Sequence, residues 1–353
     1  MESTRQDIKS LSIEELSAWL QEHSCKSYRA RQISSWIYLR QADGFSDMTN
    51  LSKTLRHELS ESFTMPRLKI LKTKSSSDGT KKYLFRLKDG EHIETVLIPE
   101  KDHFTLCVST QVGCAQGCQF CLTAKNGFTR DLTKAEIISQ VRDIVNELNE
   151  SKPLTNIVFM GMGEPLANYD NLIRAIDVIS NSDFGLKFST RRITVSTAGI
   201  VPRFSDLGRD AQVNLEVSLN ATDNTTRSML MPINRKYSIE QLLEACRNFP
   251  LKPRRRITFE YILIQGINDS PDDAKRLSRL LRSIKAKINL IPFNEHGDCK
   301  FKRPEDADIF RFQKILLDND YTVNIRYSKG LDISAACGQL RAQHAEQLTP
   351  IAT

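Results

Sequence analysis

Beyond residue 104 one pattern repeats: a short apolar run, a turn of glycine and small polar residues, then an amphipathic segment. Apolar runs at 104–108, 156–160, 192–195, 213–217, 257–263, 287–291 and 321–325 have strand length. Segments at 133–149, 169–180, 239–249, 271–284 and 307–319 carry helical periodicity between them. This alternation restricts the chain to a parallel α/β sheet with crossover helices. Ligands in such folds bind at the carboxyl ends of the strands. Four runs lead into Met160-Gly161-Met162-Gly163-Glu164-Pro165, Ser196-Thr197-Ala198-Gly199, Ser218-Leu219-Asn220 and Pro292-Phe293-Asn294. One glycine turn carries little information, but four at the same topological position, beside a cysteine-rich loop after another strand, mark a site.

That loop reads Cys107-Val-Ser-Thr-Gln-Val-Gly-Cys114-Ala-Gln-Gly-Cys118-Gln-Phe-Cys121. Thiols at 114, 118 and 121 can converge on one centre, and thiolates select soft metals and iron–sulfur clusters. Three ligands leave one iron of a four-iron cube open to bind and cleave a cofactor. Cys107 could instead complete a four-cysteine zinc site, although six residues separate it from Cys114, wider than the usual knuckle. Of the eight cysteines, Cys25, Cys246 and Cys299 match no motif, and none of the six histidines has zinc-site spacing.

The first 65 residues are helical in pattern. Ser12-Ile-Glu-Glu15 opens like a capping box, and segments 29–39 and 52–63 follow it. Between 66 and 100, Ser77-Asp78-Gly79 and Lys88-Asp89-Gly90 are turn signals separating short strands. No apolar run is long enough to span a membrane, and the start has no secretory core, so a cytoplasmic, reducing compartment is expected. Net charge is +7, which favours a polyanionic partner. The basic runs Lys81-Lys82, Arg191-Arg192 and Lys252-Pro-Arg254-Arg255-Arg256 read singly as solvated faces.

Taken together, Cys107 before the triplet, Gly161-Met-Gly-Glu-Pro-Leu166, Ser196-Thr-Ala-Gly199, Met231-Pro-Ile-Asn234 and Ala335-Ala-Cys337-Gly-Gln-Leu340 resemble the RlmN/Cfr family of radical S-adenosylmethionine (SAM) RNA methyltransferases. The resemblance runs from the Glu94 strand to Leu340, and more loosely over the helical start. It implies a partial (β/α)6 TIM-like barrel at 101–345, an N-terminal helical accessory, RNA-binding domain at 1–65, a small β-extension at 66–100 and a tail at 346–353. Val112 and Pro165 resemble the RlmN branch, which methylates C2 of adenosine 2503 in 23S rRNA and adenosine 37 in tRNAs. The Cfr branch, which targets C8, remains the alternative, and a non-catalytic, zinc-stabilised RNA-binding module is the reading from another class.

The resemblance also implies roles. Cys114, Cys118 and Cys121 would hold one 4Fe–4S cluster. Gly163, Glu164, Ser196, Ser218, Leu219, Asn220 and Asn294 would bind SAM, two per turnover. Cys337, in a mobile loop flanked by Gly330–Ser334 and Gly338, would carry the methyl group. Cys107 would resolve it through a transient disulfide, and Glu94, or alternatively Cys107, would accept the C2 proton. Asn220 stands where the family often has His, and an amide cannot titrate near neutral pH. An electron-donor protein of the flavodoxin kind would serve a monomeric enzyme with no membrane partner.

Overall fold

In the computed structural model, residues 5–148, 152–295 and 299–340 are described. The expected tail at 346–353 and the last expected residue of the helix at 133–149 lie outside them. The strands are β1 (Gln6–Asp7), β2 (Phe63–Thr64), β3 (Lys69–Ser75), β4 (Lys81–Arg86), β5 (His92–Pro99), β6 (Phe104–Cys107), β7 (Gln111–Gly113), β8 (Phe128–Asp131), β9 (Leu154–Phe159), β10 (Ile193–Thr197), β11 (Asn214–Ser218), β12 (Ile257–Leu263), β13 (Ala286–Pro292) and β14 (Val323–Ile325). The helices are α1 (Ile13–Glu22), α2 (Arg29–Tyr38), α3 (Lys53–Ser62), α4 (Leu122–Lys125), α5 (Lys134–Glu147), α6 (Tyr169–Ser180), α7 (Phe204–Asp210), α8 (Asn224–Leu230), α9 (Ile239–Arg247), α10 (Pro271–Leu281) and α11 (Asp306–Leu317).

Ten strands form one sheet in the order β14-β13-β12-β11-β10-β9-β6-β5-β4-β3. From β6 to β14 all pairs are parallel, and β5, β4 and β3 continue antiparallel. The strands 66–100, read as a separate extension, are therefore hydrogen-bonded onto the barrel sheet through Val96–Pro99 against β6. Parallel strands covered on both faces need near-continuous apolar runs, and β12 and β13 supply them, with Phe259, Leu263, Ile288 and Leu290 buried.

Helix starts follow their sequence signals. Ser12 with Glu15, Thr133 with Glu136 and Ser270 with Asp273 form reciprocal caps, and Pro271 occupies the first turn of α10. The accessory helices are fixed to α5 by buried cations. Arg142 donates Nε to Ile37 O at 3.0 Å and Nη1 to Asp143 at 3.0 Å. Lys134 Nζ donates to Leu11 O at 2.7 Å, and, away from α5, Lys9 Nζ ties the start of the chain to Pro66 O at 2.7 Å. Each guanidinium or ammonium replaces water with carbonyl or carboxylate oxygens, which is what makes its burial tolerable.

Candidate functional site

The strand-end turns and the cysteine loop enclose one cavity, open to solvent, at the carboxyl end of the sheet. Cys114, Cys118 and Cys121 line it with Glu164, Ser196 and Cys337. β6 delivers the chain at Cys107, and the β7–β8 hairpin folds the loop back. Gly113, at φ +76°, makes that closure possible: a Cβ there would stand 2.0 Å from the Gly127 carbonyl, which accepts Cys114 N at 2.7 Å. Gln119 N donates to Leu230 O at 2.9 Å, and Leu122 N to Gly338 O at 2.7 Å, so α8 and the Cys337 segment also hold the loop.

Burial pushes the Cys114 thiol up to about 12 and raises Cys118 well above the ordinary thiol range, and the charge of Cys121 adds to both. Thiolates so placed are penalised by desolvation and by one another, and a centre carrying several positive charges relieves both penalties. Among the described residues, no three His, Cys, Asp or Glu side chains close on a point that a single metal ion could fill. Three soft donors around an open cavity suit a polynuclear iron–sulfur cluster better than a closed tetrahedral zinc site.

The turn after β9 packs directly on the segment after β6. A Cβ on Gly161 would meet Ser109 Oγ at 2.6 Å, and one on Gly163, at φ +102°, would meet Gln111 Cβ at 2.6 Å. Glu164 is buried; its Oε1 accepts Leu166 N at 3.0 Å and its Oε2 accepts Ala198 N at 2.7 Å. Burial raises this carboxyl while those N–H donors oppose the shift. The side chain thus ties the β9 turn to the β10 turn. Ser196 Oγ, on the cavity wall, donates to Glu260 Oε2 at 3.3 Å.

Ser218 lines the cavity, whereas Leu219 and Asn220 are taken up by the fold. Leu219 N donates to Glu260 O at 3.0 Å, and Leu219 O accepts Arg227 Nε at 3.0 Å. Asn220, at φ +57°, adopts the left-handed conformation that Asn tolerates better than most residues. Its Oδ1 accepts Ile262 N at 2.8 Å and its Nδ2 donates to Met231 Sδ at 3.2 Å. Asn294 Nδ2 donates to Cys337 O at 3.3 Å.

Cys337 is solvent-exposed where it opens onto the cavity; the protein packed around its sulfur, then Glu260 and Glu216, raise its thiol. Cys107 is buried close by, and the Cys337 charge is second only to burial in raising its thiol. The flank read as mobile is tied down. Asp78 Oδ2 accepts Gly330 N at 2.8 Å, Ser76 Oγ donates to Asp332 Oδ1 at 2.5 Å, and Lys82 Nζ donates to Ser334 O at 2.9 Å. Glu94, on β5, is buried and pairs with Lys82 at 3.0 Å.

Sequence reasoning missed several of these groups. Lys82 read as half of a solvated basic pair, and the structure buries it. Glu216 and Glu260 lie on neighbouring strands, with burial raising both; a carboxylate inside each of two apolar runs was the available signal. Arg227 had none, because its role depends on three turns meeting. Cys299 donates weakly to Gln119 O and packs against the same small apolar cluster as Cys118 and Cys121.

The model of the radical SAM superfamily matches residues 108–277, and that of the ribosomal RNA large subunit methyltransferase N-terminal domain matches 6–65. The dual-specificity RNA methyltransferase RlmN of Desulfosudis oleivorans is 62% identical over 337 residues, covering 96% of this chain and 91% of that protein. Its counterpart in Geobacter sulfurreducens is 56% identical, covering 96% and 92%. The crystal structure of a radical SAM methyltransferase from Sphaerobacter thermophilus superposes with a TM-score of 0.90 at 45% identity, over 96% of this chain and 100% of that one.

Proposed function

The chain belongs to the RlmN family of radical-SAM methyltransferases, and from that membership we propose that it methylates C2 of adenosine, at position 2503 of 23S rRNA and at position 37 of tRNAs. The superfamily implies a 4Fe–4S cluster and SAM. Together, when bound, they supply a hydrogen-abstracting radical, which this substrate needs because adenine C2 is electron-poor and carries no acidic proton.

The protein's own residues divide the remaining work. Cys114, Cys118 and Cys121 hold the cluster. Gly163, Glu164, Ser196, the Ser218-Leu219-Asn220 turn and Asn294 shape the SAM pocket, with Leu219 and Asn220 acting through the turn's conformation. The Cys337 thiolate takes a methyl group from one SAM by substitution at carbon, and a second SAM is consumed in the same turnover. The methyl on Cys337, after losing a hydrogen atom, bonds to C2 and links protein to RNA. Glu94 accepts the C2 proton. Cys107 then attacks the Cys337 sulfur; the S–C bond breaks as the S–S bond forms, and the freed carbon takes up a proton to complete the methyl group of methyladenosine. The adduct's unpaired electron would pass to the oxidised cluster, and an external thiol or dithiol reductant restores both cysteines. The base reaches the cavity unstacked from its neighbours. A flavodoxin-like donor supplies electrons to a monomeric, cytoplasmic enzyme.

One observation carries this reading: Cys337, more than two hundred residues from the triplet, lines the same cavity. A zinc-held binding module leaves Cys337 without a role. The test is anaerobic incubation of the iron-reconstituted protein with SAM, a low-potential reductant and either an rRNA fragment or tRNA, followed by nucleoside mass spectrometry. Formation of 2-methyladenosine supports the proposal, 8-methyladenosine transfers the chain to the alternative reading, and absence of methylated RNA from cluster-loaded protein overturns both.

A further inference from the structure

Arg227, on α8, is a fully buried guanidinium that the reaction above leaves unused. Its contacts are all to neutral oxygens. Nε donates to Leu219 O at 3.0 Å, Nη1 to Asn234 Oδ1 at 3.1 Å, and Nη2 to Ala198 O at 2.8 Å and Ser218 O at 3.1 Å. Among the described residues no carboxylate pairs with it, although a buried charge without an anion is strongly disfavoured. Arginine does not escape that penalty by losing its proton.

The anion is to be sought across the cavity. Ala198 and Ser218, whose carbonyls Arg227 grips, both line the cavity that holds the cysteine triplet. The end of α8 holds the cysteine loop itself, with Leu230 O accepting Gln119 N at 2.9 Å.

We propose that Arg227 is a positioning residue whose positive charge is the counter-ion of the thiolate-ligated cluster and raises the potential at which that cluster accepts an electron. The inference rests on the reading that Cys114, Cys118 and Cys121 hold a 4Fe–4S cluster. One-electron reduction by a low-potential donor adds a negative charge to the site, so a fixed cation nearby stabilises the reduced form more than the oxidised one. The same guanidinium holds the turns after β10 and β11 in register with the loop, which makes the charge and the cavity wall one unit.

The test compares wild type, Arg227→Lys and Arg227→Gln after anaerobic reconstitution, reading iron content and the cluster's potential by spin-resonance-monitored titration without SAM or RNA. Gln keeps polar donors but removes the charge; Lys keeps the charge but loses the fork. Arg227→Gln is expected to load a cluster that is about tenfold less reduced at the wild-type midpoint potential, a shift of about 59 mV to the negative side. Arg227→Lys is expected to titrate near wild type. A cluster-loaded Arg227→Gln protein with the wild-type potential overturns the proposal. If Arg227→Gln takes up no cluster, Arg227→Lys with full iron and the wild-type potential supports it, and Arg227→Lys failing equally overturns it. Wild-type protein that takes up no cluster contradicts the cluster reading itself.

Discussion

Replacing Lys82 by Met removes one partner of a buried ion pair while keeping a long apolar stem. Lys82 Nζ lies 3.0 Å from Glu94 Oε1, and the side chains are 8% and 7% exposed. The ammonium also donates to Ser334 O at 2.9 Å, three residues before Cys337. Breaking such a pair from one side costs about 3–5 kcal/mol, because the remaining carboxylate loses its lysine in a dry site. The lost carbonyl hydrogen bond contributes about 1 kcal/mol more. Urea unfolding of Lys82→Met should therefore show a loss of about 4–6 kcal/mol. The double variant Lys82→Met/Glu94→Leu removes both charges and should recover most of that loss. A single variant within about 1 kcal/mol of wild type would refute the reasoning, as would a double variant no more stable than the single one. The stake is functional too, since one ammonium joins the proposed proton acceptor to the loop that bears the proposed methyl carrier.

Glu164→Gln should lose about 1–3 kcal/mol on denaturant unfolding, because an amide has one acceptor oxygen for the Leu166 and Ala198 N–H groups and its NH2 confronts the other. Gly113→Ala should abolish iron uptake, measured after reconstitution, since its Cβ would stand 2.0 Å from Gly127 O and push the Cys114 loop open. Glu260, raised to about 8 by burial and by Glu216, binds a proton in the folded protein that the unfolded chain has already released above the ordinary carboxyl value of 4.5. Stability should then fall as pH rises from about 4.5 towards about 8, and Glu260→Gln, fixed neutral, should flatten that slope in unfolding curves taken across the window.

Much of the fold was legible because its signals are local. Apolar runs gave β12 without change at Ile257–Leu263, and the Ser12–Glu15 and Thr133–Glu136 caps stood in the sequence before they appeared in the structure. The alternation of strand and helix needed only periodicity. The β7–β8 hairpin was missed because strands of three and four residues have no periodicity to read, and their pairing depends on Gly113 meeting Gly127. The three thiols and the strand-end turns were visible as motifs. Their supports were not, since Lys82, Arg142 and Arg227 are cations whose ordinary place is the surface, and only the assembled fold supplies the carbonyls that bury them. Arg191 and Arg192, read in the same way as Lys82, do remain exposed. Charge patterning alone does not separate the two cases.

The central claim is that the RNA methyl group travels through the Cys337 sulfur. The most direct measurement is a pulse and chase. Protein loaded with isotopically labelled SAM is stripped of free cofactor, checked for a labelled Cys337 peptide by mass spectrometry, and then turned over once with unlabelled SAM and RNA. The account predicts label on Cys337 before the chase and in 2-methyladenosine after it, with no product from Cys337→Ala. Label that stays on the protein while the RNA gains an unlabelled methyl group would contradict it.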